Sequence, residues 1–324
     1  MNRVPRVILS TLAPFLGLVL VVLAFWAWGC VAKPDATFLT PFRMTLIAKQ
    51  TAIVGMGALG MTLVIVSAGI DLAVGSLLAL TSVVLALLLR AGVAAPFAVL
   101  ATLGVGALAG AVNGLLVTRL KLVPFIVTLG TMLLFRGVAE QIASQQKIAT
   151  EAPAWLSSLL DPPPAGAWPF VCTGVWIVVL LGVLVAFVLK NTVLGRHVVA
   201  VGSSEPTARL CGIAVDRVKV LVYTLCGLCI GIAGLFQFAN LNRQGDPTGG
   251  SGLELEVIAA VVIGGGSLNG GRGSVLGSLI GALLMTTLRS GCVFAEVPDP
   301  IQKIVIGAII VVAVALDQWR KRAA

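Results

Sequence analysis

Charge is the first thing this chain lacks. Only 11% of its 324 residues are Asp, Glu, Lys or Arg, against about 25% in a soluble globular domain. Hydrophobic residues make up 58%, and the mean hydropathy is +1.07. That scarcity excludes an ordinary water-soluble enzyme. It equally excludes a disordered or nucleic-acid-binding chain, although 22 basic residues outnumber 13 acidic ones and leave a net charge of +9. Histidine is nearly absent, and with His197 alone no multi-His metal site forms within this chain. The six cysteines, at 30, 172, 211, 226, 229 and 292, are scattered in or beside apolar runs and form no disulfide framework. The Cys226-x-x-Cys229 pair has no second pair and no nearby His, so it reads as small packing residues of a helix. A phosphate-binding loop G-x-x-x-x-G-K-[S/T] is missing, because none of the eight lysines follows a glycine. No nucleophile–base pair is visible, so no catalytic residue is assigned. Carriers driven by protons or sodium need carboxylates or a His relay deep in the membrane, and almost none are here. The chain reads as a path with no motor of its own.

What is present is apolar length. A helix needs roughly 20 apolar residues to cross a bilayer, and ten runs qualify, at about 12–32, 46–67, 71–90, 95–118, 122–142, 170–189, 218–241, 254–267, 274–290 and 300–317. The eighth is short and Gly-rich, which predicts a broken or partly re-entrant helix, tolerated only where protein or a cavity covers its backbone. Glycine, 37 residues in all, suits helices packed backbone to backbone in lipid. The fold class is an all-α polytopic membrane protein, expected to be a single transmembrane domain over 1–324 with no soluble domain. Ten spans with a cytoplasmic N-terminus place 13 basic residues inside, including Arg119, Lys121, the 190–219 loop, Arg272 and the Arg320-Lys321-Arg322 tail. Eight then lie at or near the outer face, among them Lys33, Arg43, Lys49 and Lys147. Both ends are therefore expected in the cytoplasm. The run from Leu12 to Val31 is long for a signal peptide, and Cys30-Val31-Ala32-Lys33 is a poor cleavage site. The outer 143–169 stretch, with Pro162-Pro163-Pro164, reads as a loop with a short surface helix around Trp155.

Polar residues inside the runs are few. Asp71, in Ala68-Gly69-Ile70-Asp71-Leu72-Ala73-Val74-Gly75-Ser76, reads either as the N-cap of the third span or as part of a gate in the translocation path. Arg136 is expected to snorkel or to pair with Glu140 one turn on, ahead of touching a substrate. Glu254 and Glu256 read as exposed first-turn carboxylates. Asn113, Thr128 and Thr131 lie mid-span, and Gln237 and Asn240, with Asn242, lie near the outer end of the seventh. These groups either hydrogen-bond between helices or at headgroup level, or present themselves to a polyol. The stretch Gly264-Gly265-Gly266-Ser267-Leu268-Asn269-Gly270-Gly271-Arg272-Gly273 reads as a tight cytoplasmic turn.

The 190–219 loop is the one large polar feature on the expected cytoplasmic face. Ser204 is a plausible N-cap, with Pro206 in the first turn, for a short helix that Gly212 terminates. Such a helix is too short to stand alone in water. It needs a surface, either another protein or the chain's own helix ends.

This loop carries a resemblance. Leu194-Gly195-Arg196, Ala200-x-Gly202 and Ala208-Arg209-Leu210-x-Gly212-Ile213 resemble the cytoplasmic loop of ribose-type ABC importer permeases. Gly69-Ile70-Asp71-Leu72-Ala73-Val74-Gly75-Ser76 is similar to that family's signature in the third span, with Ala68 replacing its first Gly. Pro124 to Met132 and Glu254 to Gly273 resemble two further segments. The family implies a type II importer fold and a homodimer of this chain, multi-pass in a bacterial plasma (inner) membrane and surrounded by its lipid. It implies a separate ATP-binding cassette ATPase subunit that binds ATP and Mg, and a periplasmic or extracellular solute-binding protein, with no cofactor in this chain. Leu194, Gly195, Arg196, Glu205, Ala208, Arg209 and Gly212 then belong to the coupling element that meets the ATPase, and the cargo is a monosaccharide or related polyol. A facilitator for small neutral solutes, and a related permease for amino acids or nucleosides, remain the alternatives.

Overall fold

The computed structural model describes residues 4–32, 37–162 and 171–322. Arg3, Lys33 and the Pro163-Pro164 pair lie outside these residues. All ten apolar runs contain helix. In chain order the elements are α1 (Val4–Ala32), α2 (Pro41–Val66), α3 (Val74–Arg90), α4 (Ala95–Arg119), α5 (Pro124–Ile142), β1 (Ile148–Ala149), α6 (Ala154–Ser157), α7 (Thr173–Asn191), α8 (Val193–Ser203), α9 (Glu205–Leu210), α10 (Val215–Asn240), β2 (Gln244–Gly245), α11 (Leu253–Ile263), α12 (Val275–Phe294) and α13 (Asp299–Arg322). Among the described residues, seven of them, namely α1, α2, α4, α5, α7, α10 and α12, are long and apolar enough to cross a membrane. Local sequence sets the starts. Pro occupies the first turn of α2, α4 and α5, where its missing N–H costs nothing. Thr40, Thr192 and Ser274 accept from the amides of Arg43, Gly195 and Gly277, respectively, to cap α2, α8 and α12.

The centre is α10, flanked by α2, α3 and α4. Its glycines bring backbones together: Gly227 lies against the backbone of Gly106 and Gly110, while Gly110 and Gly114 of α4 lie against Tyr223 and Val220. Gly60 of α2 rests on the Cα of Cys226. Along these contacts the residue numbers rise on α2 and α4 as they fall on α10, so both helices run antiparallel to it. Cys226 is buried in this contact and unpaired, as a packing residue would be. On α4, α5 and α7 large apolar side chains point outward, Phe97 at 69% and Leu180 at 69% exposure among them. In water such a surface would aggregate; hydrocarbon covers it at no cost.

Two crossings are interrupted. α3 begins at Val74, three residues later than the expected start at 71, and residues 68–73 are not helical. α11 is only 11 residues long, about 16 Å, roughly half of a ~30 Å hydrocarbon core. Its missing half is the stretch 244–252. Gly245 lies against Ser82, Val83 and Ala86 of α3, and Gly250 lies against Gly75 at the start of that helix. The stretch thus runs along α3 from its middle, just after α10 ends, to its first turn, just before α11 begins. This is the broken element expected for the eighth span.

Candidate functional site

Polar side chains gather at three places. The first is the interruption before α3. Asp71 does not cap that helix, contrary to expectation: the cap position is Ala73, which has no side-chain bond. Asp71 is buried, and its Oδ1 accepts from the Ala73 amide at 2.9 Å and from Asn113 Nδ2 at 3.4 Å. A carboxylate turning back on an amide two residues later builds a local turn, which holds the chain out of helix. Two hydroxyls converge on the carbonyl of Ile70, Tyr223 Oη at 3.0 Å and Thr128 Oγ1 at 3.4 Å. Asn113 and Thr128 are fully buried, and Asn113 Oδ1 has no hydrogen-bond partner. Asp71, Asn113 and Thr128 are therefore brought together, with α4, α5 and α10 each sending one group to residues 70–71. Tyr223, not singled out from sequence, is the fourth member; its position eight residues into a long apolar helix gave the only signal. Thr131 stays out of the cluster and donates to Thr128 O within α5 at 3.3 Å.

The second place is the interruption before α11. Arg136 does not pair with Glu140; its Nη1 donates to the carbonyls of Pro247 at 2.6 Å and Gly249 at 2.8 Å. The i,i+4 partner loses because two carbonyls of non-helical backbone lie nearer and have no donor of their own. Asp246 Oδ1 accepts from the Thr248 amide and hydroxyl, and Lys147 approaches its Oδ2 at 3.2 Å. Gln237 faces this stretch, with Nε2 near Gly249. Asn240, the last residue of α10, is partly buried, and its side chain makes no hydrogen bond among the described residues. Glu256 is not an exposed first-turn carboxylate either: its side chain is 13% exposed and bonded to Arg289 Nη1 at 2.7 Å.

The third place is the end of the molecule where α2 stops. α8 packs there, with Gly202 against the carbonyl of Val66 and the amide of Gly271, and Gly271 itself donates to Val66 O at 2.9 Å. The Gly-rich 264–273 turn is thus locked to α2 and α8. Leu194 is partly buried and Gly195 buried, both within α8, and Arg196 is exposed. α9 is the expected short helix. Ser204 accepts from the Thr207 amide at 3.4 Å, Pro206 sits in the first turn, and Gly212 follows with φ +80°. A left-handed residue closing a helix favours Gly. Ala208 is the buried face of α9, and Leu210 points away at 89% exposure. Arg209 Nη2 bridges Glu205 at 3.0 Å and Asp216 at 2.6 Å, and Lys219 holds the other oxygen of Glu205 at 2.6 Å. Burial opposes ionisation of Glu205, but Lys219 and then Arg209 outweigh it and hold the carboxyl below its usual range. The Asp216 and Glu205 carboxylates raise Arg209 further above its already high value. This network ties α9 to the first two turns of α10.

Comparisons with known proteins agree on one lineage. The family described as "Branched-chain amino acid transport system / permease component" matches residues 43–314. The ribose import permease protein of Escherichia coli (strain K12) is 41% identical over 297 residues, 90% of each chain. The fructose import permease protein of Rhizobium meliloti is 40% identical over 315 residues, 95% of this chain and 86% of that protein. The xylose transport system permease protein of E. coli (strain K12) is 33% identical over 361 residues, 94% and 91%. No solved structure matches.

Proposed function

Because the chain belongs to the sugar import permeases of this transport-system family, we propose that it works as follows. It is the non-catalytic, membrane-spanning permease subunit of an ABC importer, and its cargo is a monosaccharide or related polyol. Ten spans, the eighth made of α11 together with the 244–252 stretch, cross a bacterial plasma membrane with both termini in the cytoplasm. The end carrying α8, α9 and the 264–273 turn then faces inward, and the end carrying β1 and β2 meets a solute-binding protein. A separate ATPase subunit binds ATP and Mg and supplies the energy.

The observation that carries this reading is Leu210. Most other exposed leucines lie on long apolar helices; Leu210 stands 89% exposed on a charged loop where lipid cannot cover it. An apolar knob on a water-facing helix calls for a protein partner, and the Glu205–Arg209–Asp216–Lys219 network stiffens the mount beneath it. Closure of the ATPase pair would displace α9, and the network would pass that displacement to α10 at the centre of the fold.

The chain works as a homodimer, and α5 supplies the contact better than α12 does. Both helices are Gly-rich, but the glycines of α12 are occupied within the chain: Gly277 by Gly264, Gly281 by Ala260, Gly291 by Phe25. Gly130 and Gly137 of α5, seven residues apart, have nothing beside them, and Leu133 and Leu134 next to them are exposed.

Gentle extraction of the tagged chain from its own membrane tests the reading. Co-purification of a nucleotide-binding subunit is expected. A homo-oligomer without one, under conditions that keep known importers intact, would establish a self-sufficient facilitator instead.

A further inference from the structure

Backbone that leaves the helix inside a bilayer finds no water for its carbonyls and survives only where protein takes its place. The 246–250 stretch meets part of this demand by itself. Asp246 O accepts from the Gly249 amide, Thr248 O from the Ser251 hydroxyl and Gly250 O from the Leu253 amide. Two carbonyls are left, those of Pro247 and Gly249, and a single nitrogen of Arg136 takes both. No carboxylate pairs with that guanidinium among the described residues. A cation within a membrane helix without a counter-ion is costly to keep, so the carbonyl pair is what this position serves. The same helix reaches the other interruption, eight residues earlier, through Thr128 and Ile70 O. α5 therefore holds both non-helical stretches by polar contacts, while its outward side has open space at Gly130 and Gly137.

We propose that Arg136 is a positioning residue that latches the 246–250 stretch to α5, so that displacement of α5 and opening of the outer end of the path are one event. The proposal rests on the importer reading above. Arg136 touches no cargo in this role; it fixes where the stretch stands. Lysine keeps the charge and reaches a carbonyl without the guanidinium fork, whereas leucine removes every donor.

Arg136→Leu, Arg136→Gln and Arg136→Lys in the full chain test the latch. Amide exchange over 244–252, read in lipid nanodiscs without partners, should speed up about tenfold in Arg136→Leu, equivalent to about 1.4 kcal/mol of local opening. The α10 peptides should stay unchanged. In the assembled complex Arg136→Leu should lower sugar uptake about tenfold while ATP hydrolysis continues, and Arg136→Lys should restore most of the uptake. Should the leucine variant fail to fold, Arg136→Gln, with a shorter neutral amide as its donor, is expected to change both readouts in the same direction and by less than tenfold. Unchanged exchange in 244–252 overturns the latch whatever happens to transport. A proportional fall of uptake and hydrolysis, unrescued by lysine, also overturns it. The exchange experiment needs no ATPase, so failure of the importer reading would leave that arm standing and be told apart.

Discussion

The charge network on α9 and the contacts at the two interruptions use similar chemistry in opposite surroundings. On α9 four charged side chains from residues 205–219 meet each other at an end bathed in water, with Arg209, Glu205 and Asp216 between 39% and 55% exposed. At the interruptions the bonds join residues 42 to 153 positions apart in sequence, and most of the groups are buried. Water competes for every bond in the first set and for almost none in the second. An exposed ion pair is worth about 0–1 kcal/mol, whereas a buried polar group left without its partner costs about 1–3 kcal/mol. The first set steadies a short surface helix; the second decides whether the interrupted backbone exists at all.

The sharpest way to break that contrast is at Asp71. Asp71→Leu strands the Ala73 amide and Asn113 Nδ2, each at about 1–3 kcal/mol, so the yield and melting temperature of folded protein should drop steeply. Asp71→Asn keeps an acceptor and should lose far less. Equal losses would mean that charge, and not hydrogen bonding, holds the turn.

Gly212 comes next. Its φ of +80° strains any β-branched residue by about 1–3 kcal/mol, yet nothing lies near its missing side chain. Gly212→Val should insert normally and hydrolyse ATP with its partner while sugar uptake fails; normal uptake would disprove the coupling role of α9. Arg209→Glu should weaken recovery of the ATPase without altering membrane insertion, because it repels Glu205 and Asp216 and frees α9 from α10. An undiminished complex would show that the network is ornamental.

The smallest effect belongs to Glu205 and Lys219, whose double-mutant coupling should stay within about 1 kcal/mol. A depressed carboxyl stabilises the fold above its ordinary titration range and loses that contribution as pH falls through the depressed value. The melting difference between wild type and Glu205→Gln should therefore be flat from about pH 8 to 5 and close only below about 4. A difference that already closes near neutrality would contradict the pairing.

What could be read from sequence divides along the same line. α9 was legible to the residue because Ser204, Pro206 and Gly212 each act on backbone within four positions; that the eighth crossing is broken was legible from its short apolar run, though not where the break falls. Arg136 is misassigned by the linear reading, and of the two readings of Asp71 the helix cap fails. In both cases a local partner, a helix start or Glu140, was the only one a linear reading offers, while the true partners come from distant helices. Tyr223 gave no signal beyond its place within an apolar helix, since its acceptor is a main-chain oxygen. The glycines of α5 and α12 look alike in sequence; only packing tells the occupied ones from the vacant.

The backbone-on-backbone seam where Gly227 meets Gly106 and Gly110 has a further consequence, for divergence. No side chain stands there whose size can drift, so the spine of α2, α4 and α10 is closed to gradual remodelling. New cargo preferences must be acquired along surfaces outside it. A scaffold divided in this way, with an immutable keel and an editable hull, suits a lineage whose members carry different sugars.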